Sequence, residues 1–200
     1  MDRVPDSVPA DTGAPVYRFR PSMIGSALEL RLTPDFLVWT MGNSSGRIAY
    51  PMIVRMRLGY RPSGFSTRRY VAELWPRGGT RIAIYSTSPR NIFDIEDHGA
   101  DYRAFVRELS RRIAAARADC CFETGYPAWR WWPMAAIGAV TLGAVVYVGV
   151  QAVVAKERAA AAMIAAFGAL FFWQIAMVIL RNRPGNFAPD AIPENVLPKR

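Results

Sequence analysis

The chain has 200 residues, 52% hydrophobic and 20% charged, with 25 Lys plus Arg against 16 Asp plus Glu and a formal net charge of +9. This balance excludes a disordered acidic protein, and two cysteines with a single histidine exclude a disulfide scaffold and a His-rich metal protein. The size admits one ordinary domain plus an appendage, and the apolar content, high for a soluble domain, points to a membrane.

Residues 1–16 carry Pro5, Pro9 and Pro15 among Asp, Ser and Gly without periodicity, which predicts a flexible arm. The arm has charges and no apolar run, so no signal peptide is expected and the domain that follows should remain cytoplasmic. Order is expected from Tyr17, and to Ser86 much of the pattern has period 2. Leu28, Leu30 and Leu32 alternate with Ala27, Glu29 and Arg31, a half-buried strand. A second strand over Phe36 to Met41 stops at a hairpin loop, Gly42 to Gly46. From Met52 to Arg61, Met52, Val54, Met56, Leu58 and Tyr60 take a core face and Arg55, Arg57, Gly59 and Arg61 a cationic one, with Ile53 the exception. Tyr70 to Trp75 and Arg81 to Ser86 add two strands around the turn Pro76 to Gly79.

After Asp94 the period changes. Tyr102, Phe105, Val106, Leu109, Ile113 and Ala116 form the apolar stripe of an amphipathic helix, while Arg103, Arg107, Arg111 and Arg112 lie away from most of it. Asp101 is placed to cap its start.

Antiparallel strand runs, the turn at Gly78 and Gly79, and a closing helix containing Tyr102, Phe105 and Leu109 follow one another in an order that resembles the pleckstrin-homology-like superfold. The form it is most similar to is the bacterial PH-like domain fused to transmembrane segments. The resemblance covers about half the chain, rests on architecture, and implies a small barrel or sandwich closed by the helix, in a superfold that mostly binds headgroups, peptides or proteins and seldom catalyses. The expected fold is therefore α+β, an antiparallel PH-like barrel or sandwich with a C-terminal amphipathic helix over residues 17–120. An interfacial linker over 121–132 and an all-α transmembrane hairpin then follow.

The basic side chains of the sheet suggest a surface. Arg55, Arg57 and Arg61 project from one strand face, and Arg68 and Arg69 follow the turn at Pro62 to Phe65, giving a candidate site for anionic lipid or a partner, with Arg77 and Arg81 nearby. The other reading of that face is a solvated surface. No helix-turn-helix or interleaved aromatic pattern accompanies the charge, so nucleic acid is not an expected partner. His98 lies among Asp94, Glu96, Asp97 and Asp101, which are expected to cap the helix and stay solvated. No phosphate loop or nucleophile elbow is present, and the adjacent Cys120 and Cys121 are read as free thiols. The chain is therefore expected to be non-enzymatic, without cofactor, metal or catalytic residues. An unrecognised enzyme would have to use His98 and Asp97.

Charge is absent from Trp131 to Ala155 and again from Ala159 to Leu180, each long enough for a bilayer span of about 20 residues. Only Lys156, Glu157 and Arg158 separate them, so the spans, over about 133–155 and 159–180, must form a tight hairpin. Trp129, Arg130, Trp131 and Trp132 are candidate interfacial anchors. Small residues, Gly138 and Gly143 on the first span and Ala161, Ala165, Gly168 and Ala169 on the second, suit close packing of the hairpin on itself, on a membrane-protein partner or on a second copy. Arg111, Arg112, Arg117, Arg130, Arg181 and Arg183 flank the pair, against Lys156 and Arg158 in its turn, which predicts a bacterial-type inner membrane with both termini cytoplasmic. The tail, 181–200, with Pro184, Pro189, Pro193 and Pro198, is expected to be extended and cytoplasmic. Phe187, Ile192, Val196 and Leu197 give it the means to lie on its own domain or on a partner.

These features predict a membrane-anchored scaffold or accessory subunit, with membrane lipids and a membrane protein or its own copy as partners. The alternative is an anionic-headgroup sensor acting through the basic face.

Overall fold

A computed structural model describes residues 14–61, 68–91, 94–117 and 119–198. Most of the expected arm and the turn at Pro62 to Phe65 lie outside these residues. The chain forms two compact units, one of residues up to Thr124 together with those from Gly185 onward, the other Gly125–Pro184.

In the first unit, β1 (Val16–Phe19), β2 (Leu28–Leu32), β3 (Phe36–Met41) and β4 (Ser44–Ala49) make a four-stranded antiparallel meander in chain order. Met41 pairs with Ser44, so the loop expected over Gly42 to Gly46 is only a two-residue turn, with Gly42 at φ +58°. The glycine supplies the positive φ that such a turn needs at little cost. Tyr50–Met52 form a single 3-10 turn.

A second sheet begins with β5 (Ile53–Tyr60), β6 (Tyr70–Pro76) and β7 (Ile82–Tyr85), paired antiparallel in that order. A bulge between Ile53 and Arg55 resets the alternation of β5. Ile53, the exception in the sequence pattern, is therefore fully buried, and Met52, assigned to the core, is 51% exposed. Downstream of the bulge Met56, Leu58 and Tyr60 face the core as the period-2 pattern requires. A short hairpin of β8 (Thr87–Pro89) and β9 (Ile95–Asp97) precedes α1 (Gly99–Ala116).

Helix α1 begins two residues before Asp101, with His98 at its cap position and no side-chain cap bond; Asp101 sits in the first turn, where its charge still suits the dipole. Its stripe of Tyr102, Phe105, Val106, Leu109 and Ile113 is buried throughout. Tyr17 bridges sheet and helix, its ring 5.3 Å from Phe105 and 6.1 Å from Tyr102. At the far end Arg112 donates to the carbonyls of Leu32 and Thr33 at 3.1 and 2.7 Å, tying the helix to the end of β2.

The segment read as an interfacial linker starts instead with a strand. β10 (Cys121–Thr124) pairs in parallel with β5, and β11 (Gly185–Asn186) pairs with β10, giving the order β11-β10-β5-β6-β7. The tail does not stand free: Phe187, Ile192, Val196 and Leu197 are all buried, and Glu194–Val196 form a second 3-10 turn. Four apolar side chains at irregular spacing carry no helix or strand period, yet together they bury enough surface to hold the segment against the domain.

The second unit is a helical hairpin, α2 (Ala128–Val154) and α3 (Arg158–Arg181). Both helices are long and apolar enough to cross a membrane, and their most apolar windows bury nothing within the structure. Lys156 makes the turn at φ +63°. A Cβ at Gly138 would meet Ile179 and Ile175 at 3.1 and 3.5 Å, one at Gly168 would meet Val145 at 3.1 Å, and one at Gly149 would meet Ile164 at 3.6 Å. These pairings fix an antiparallel register in which Gly138, Gly149 and Gly168 let the backbones approach. Gly143, expected in the same seam, is exposed, and a Cβ there would meet nothing within 4 Å among the described residues. At the base of the hairpin, Trp131 Nε1–H donates to the Ile179 carbonyl at 2.9 Å and Tyr126 N–H to the Asn182 carbonyl at 3.0 Å.

Candidate binding surfaces

The five arginines proposed from sequence do not make one free cationic face. Arg55 and Arg57 both engage Glu123 of β10, Arg57 through Nε–H to Oε2 at 2.9 Å and Arg55 at 3.5 Å, and both lie over the Trp75 ring, at 5.2 and 5.9 Å. Arg61 pairs at 2.6 Å with Glu73, whose side chain is 5% exposed and is also bound by Arg81 at 3.2 Å. Arg69 stacks 3.7 Å over Tyr85 and donates to the Pro21 carbonyl at 3.2 Å; burial lowers its pKa. Arg68 is exposed. Three of the five are thus committed to two carboxylates. Glu73 was legible as a lone acid in the apolar run Tyr70 to Trp75, which requires a buried partner. Glu123 gave no such signal, because its strand lies on the far side of α1 in sequence.

Two clefts gather other arginines of the domain. One, of about 610 Å³, runs between the outer strands β4 and β7. Leu28, Trp39, Ile48, Met52 and Ile82 give it an apolar floor, Arg47, Arg77 and Arg81 line it, and none of the described residues lining it is acidic. Arg47 rests on the Phe36 ring at 5.1 Å. The sequence singled out Arg77 and Arg81 for the hairpin they flank, but not Arg47 or Trp39, whose partnership depends on how the two sheets meet.

The other cleft, of about 680 Å³, gathers Arg18, Arg20, Arg90, Ser88, Glu96 and His98. His98 Nε2 lies 3.0 Å from Ser88 Oγ and 3.9 Å from Glu96, while Arg90 holds Glu96 at 3.0 Å and the Arg20 N–H donates to Ser88 Oγ at 2.9 Å. A hydroxyl, an imidazole and a carboxylate do meet here. Hydroxyl and carboxylate approach the same ring nitrogen, however, whereas activation of a serine needs the carboxylate on the opposite nitrogen, orienting the ring. The other acid invoked with His98, Asp97, is exposed in β9.

Among the described residues no three His, Cys, Asp or Glu side chains are grouped to hold a metal. Cys120 is buried and Cys121 exposed, both as free thiols; burial, with the Cys121 charge next, pushes the Cys120 thiol up to about 11. Of the proposed interfacial residues, Trp129 and Trp132 are 78% and 67% exposed, Trp131 is turned inward to Ile179, and Arg130 lies 4.9 Å over the Tyr126 ring. No protein-family model matches the chain, and no curated protein or solved structure matches it.

Proposed function

We propose that this protein is a non-enzymatic, membrane-anchored binding module that acts as a scaffold or accessory subunit at the cytoplasmic face of a bacterial-type inner membrane. The observation that carries the reading is the insertion of two long, apolar, unburied helices between β10 and β11, neighbouring strands of one sheet. Such a continuous exposed apolar surface suits lipid and not water. The PH-like assignment is supported by the element order, a four-stranded meander, a β5-β6-β7 meander and, after the short β8-β9 hairpin, a helix packed by its apolar stripe. Arginines flanking the hairpin outnumber the cations in its turn, which supports cytoplasmic termini.

The test is purification of the tagged full-length protein from native membranes in mild detergent, with quantitative mass spectrometry of bound proteins and lipids. A stoichiometric membrane-protein partner is the expected result. Recovery of the chain without any partner protein overturns the accessory-subunit reading. A second reading, the anionic-headgroup sensor, is favoured by the cleft where Arg18, Arg20 and Arg90 converge beside Ser88, and enrichment of one anionic lipid would bring it forward.

A further inference from the structure

We propose that the cleft between β4 and β7 is a docking groove for an extended segment of a partner protein in which acidic and apolar residues alternate; the inference rests on the binding-module reading and deepens it.

β4 and β7 are outer strands of their sheets, so each presents a row of backbone donors and acceptors that its own sheet leaves unpaired. An added strand satisfies such a row and gains affinity from the main chain itself. The floor between the two edges selects side chains. A Cβ at Gly46 would fall 2.8 Å from the Trp39 indole, so the missing side chain there lets the ring lie against the β4 backbone and form an aromatic platform. Met41 and Met52, 43% and 51% exposed, flank it with adaptable thioethers. A strand's side chains alternate, so one face of a bound segment meets this apolar floor. Its other residues meet Arg47, Arg77 and Arg81, with no carboxylate among the described lining residues to oppose them. Arg47 and Arg77 are exposed, and Arg81, although held by Glu73, is still about half exposed. A basic segment is repelled and an acidic one is drawn in. A compact polyanion, such as a lipid headgroup, would leave the edges and the Trp39 platform unused, which is why a peptide is the better occupant.

The experiment uses the full-length chain in detergent micelles. Fluorescence anisotropy is measured with three labelled, end-capped decapeptides in which Val or Leu alternates with Glu, Ser or Lys. A fourth is the Glu peptide N-methylated at every second amide. The Glu peptide is expected to bind at least about tenfold more tightly than the Lys peptide, and N-methylation should abolish binding. The double variant Arg47→Glu, Arg77→Glu should lose about tenfold or more for the Glu peptide while its thermal unfolding is unchanged, since both side chains are at the surface. Equal affinity for the three peptides, or an unaltered affinity in the double variant, overturns the proposal. So does binding of inositol hexakisphosphate, lost in the double variant, in the absence of any peptide binding. A partner that co-purifies equally well with the double variant overturns the groove alone and leaves the binding-module reading standing.

Discussion

Arg103 of α1 reaches Glu194, 91 residues later, and its Nη1 donates to the Pro198 carbonyl at 2.8 Å. The guanidinium is buried and the carboxylate is 66% exposed, so the pair locates the tail while contributing little energy. The energy lies in Val196 and Leu197, neither of which is exposed at all. Leu197→Ala should cost about 2 to 5 kcal/mol and Glu194→Gln less than about 1 kcal/mol, measured by thermal unfolding of the full chain in mild detergent. A tail that only drapes over the domain would give equal, small losses.

The hydroxyl of Tyr102 is buried without a hydrogen-bond partner among the described residues, and burial raises its pKa well above the usual phenol value. Removing an unsatisfied buried polar atom relieves its desolvation cost, so Tyr102→Phe should be neutral or stabilising by about 1 kcal/mol. Tyr17→Phe should do the opposite, because the Tyr17 hydroxyl donates to the Tyr85 carbonyl at 2.7 Å. Denaturation midpoints of the two variants should therefore move in opposite directions.

Gly125 sits at φ +69°, and a Cβ there would lie 2.3 Å from the Asn182 carbonyl oxygen. Gly125→Ala combines a strained backbone with a collision against backbone that cannot yield, and should lower the yield and melting temperature of folded protein sharply. Gly168→Val should also destabilise by forcing α3 away from Val145, whereas Gly143→Val should be silent. Equal effects at positions 143 and 168 would refute the helix register.

The Cys120 thiol is raised in the fold from its ordinary 9.0 to about 11. The folded chain therefore keeps a proton that the unfolded chain releases first. Stability from this site is complete below about pH 9 and is lost as pH rises through about 11, with a slope of up to about 1.4 kcal/mol per pH unit in that window. Cys120→Ala should flatten this part of the pH profile. At pH 8 a thiol reagent should modify Cys121 rapidly and Cys120 only after unfolding.

What sequence reveals here is what periodicity encodes. The α1 stripe and the two uncharged runs are local patterns, and the helices follow them closely. The alternation of β5 was visible too, but a bulge is set by pairing with β6, so Ile53 and Met52 exchanged roles. β10 and β11 were missed for a related reason. Cys121 to Thr124 is too short to show a period, and its partner strand lies 66 positions away, beyond a whole helix. Arg55 and Arg57 of β5 share Glu123 of β10, and Arg61 just past its end pairs with Glu73 of β6, so charge read along the chain overstated how much cationic surface remains. The β4 and β7 cleft was invisible because its walls belong to different sheets.

Pairing of Thr124 with Gly185 has a consequence for biosynthesis. Domains ordinarily fold as they leave the ribosome, N-terminal part first. Here the outermost strand of the second sheet and the buried Val196 and Leu197 are translated after both long helices. The domain is therefore left with an unfinished edge until the hairpin has been made and disposed of, which makes closure of the sheet a late checkpoint on whether the hairpin has reached its place.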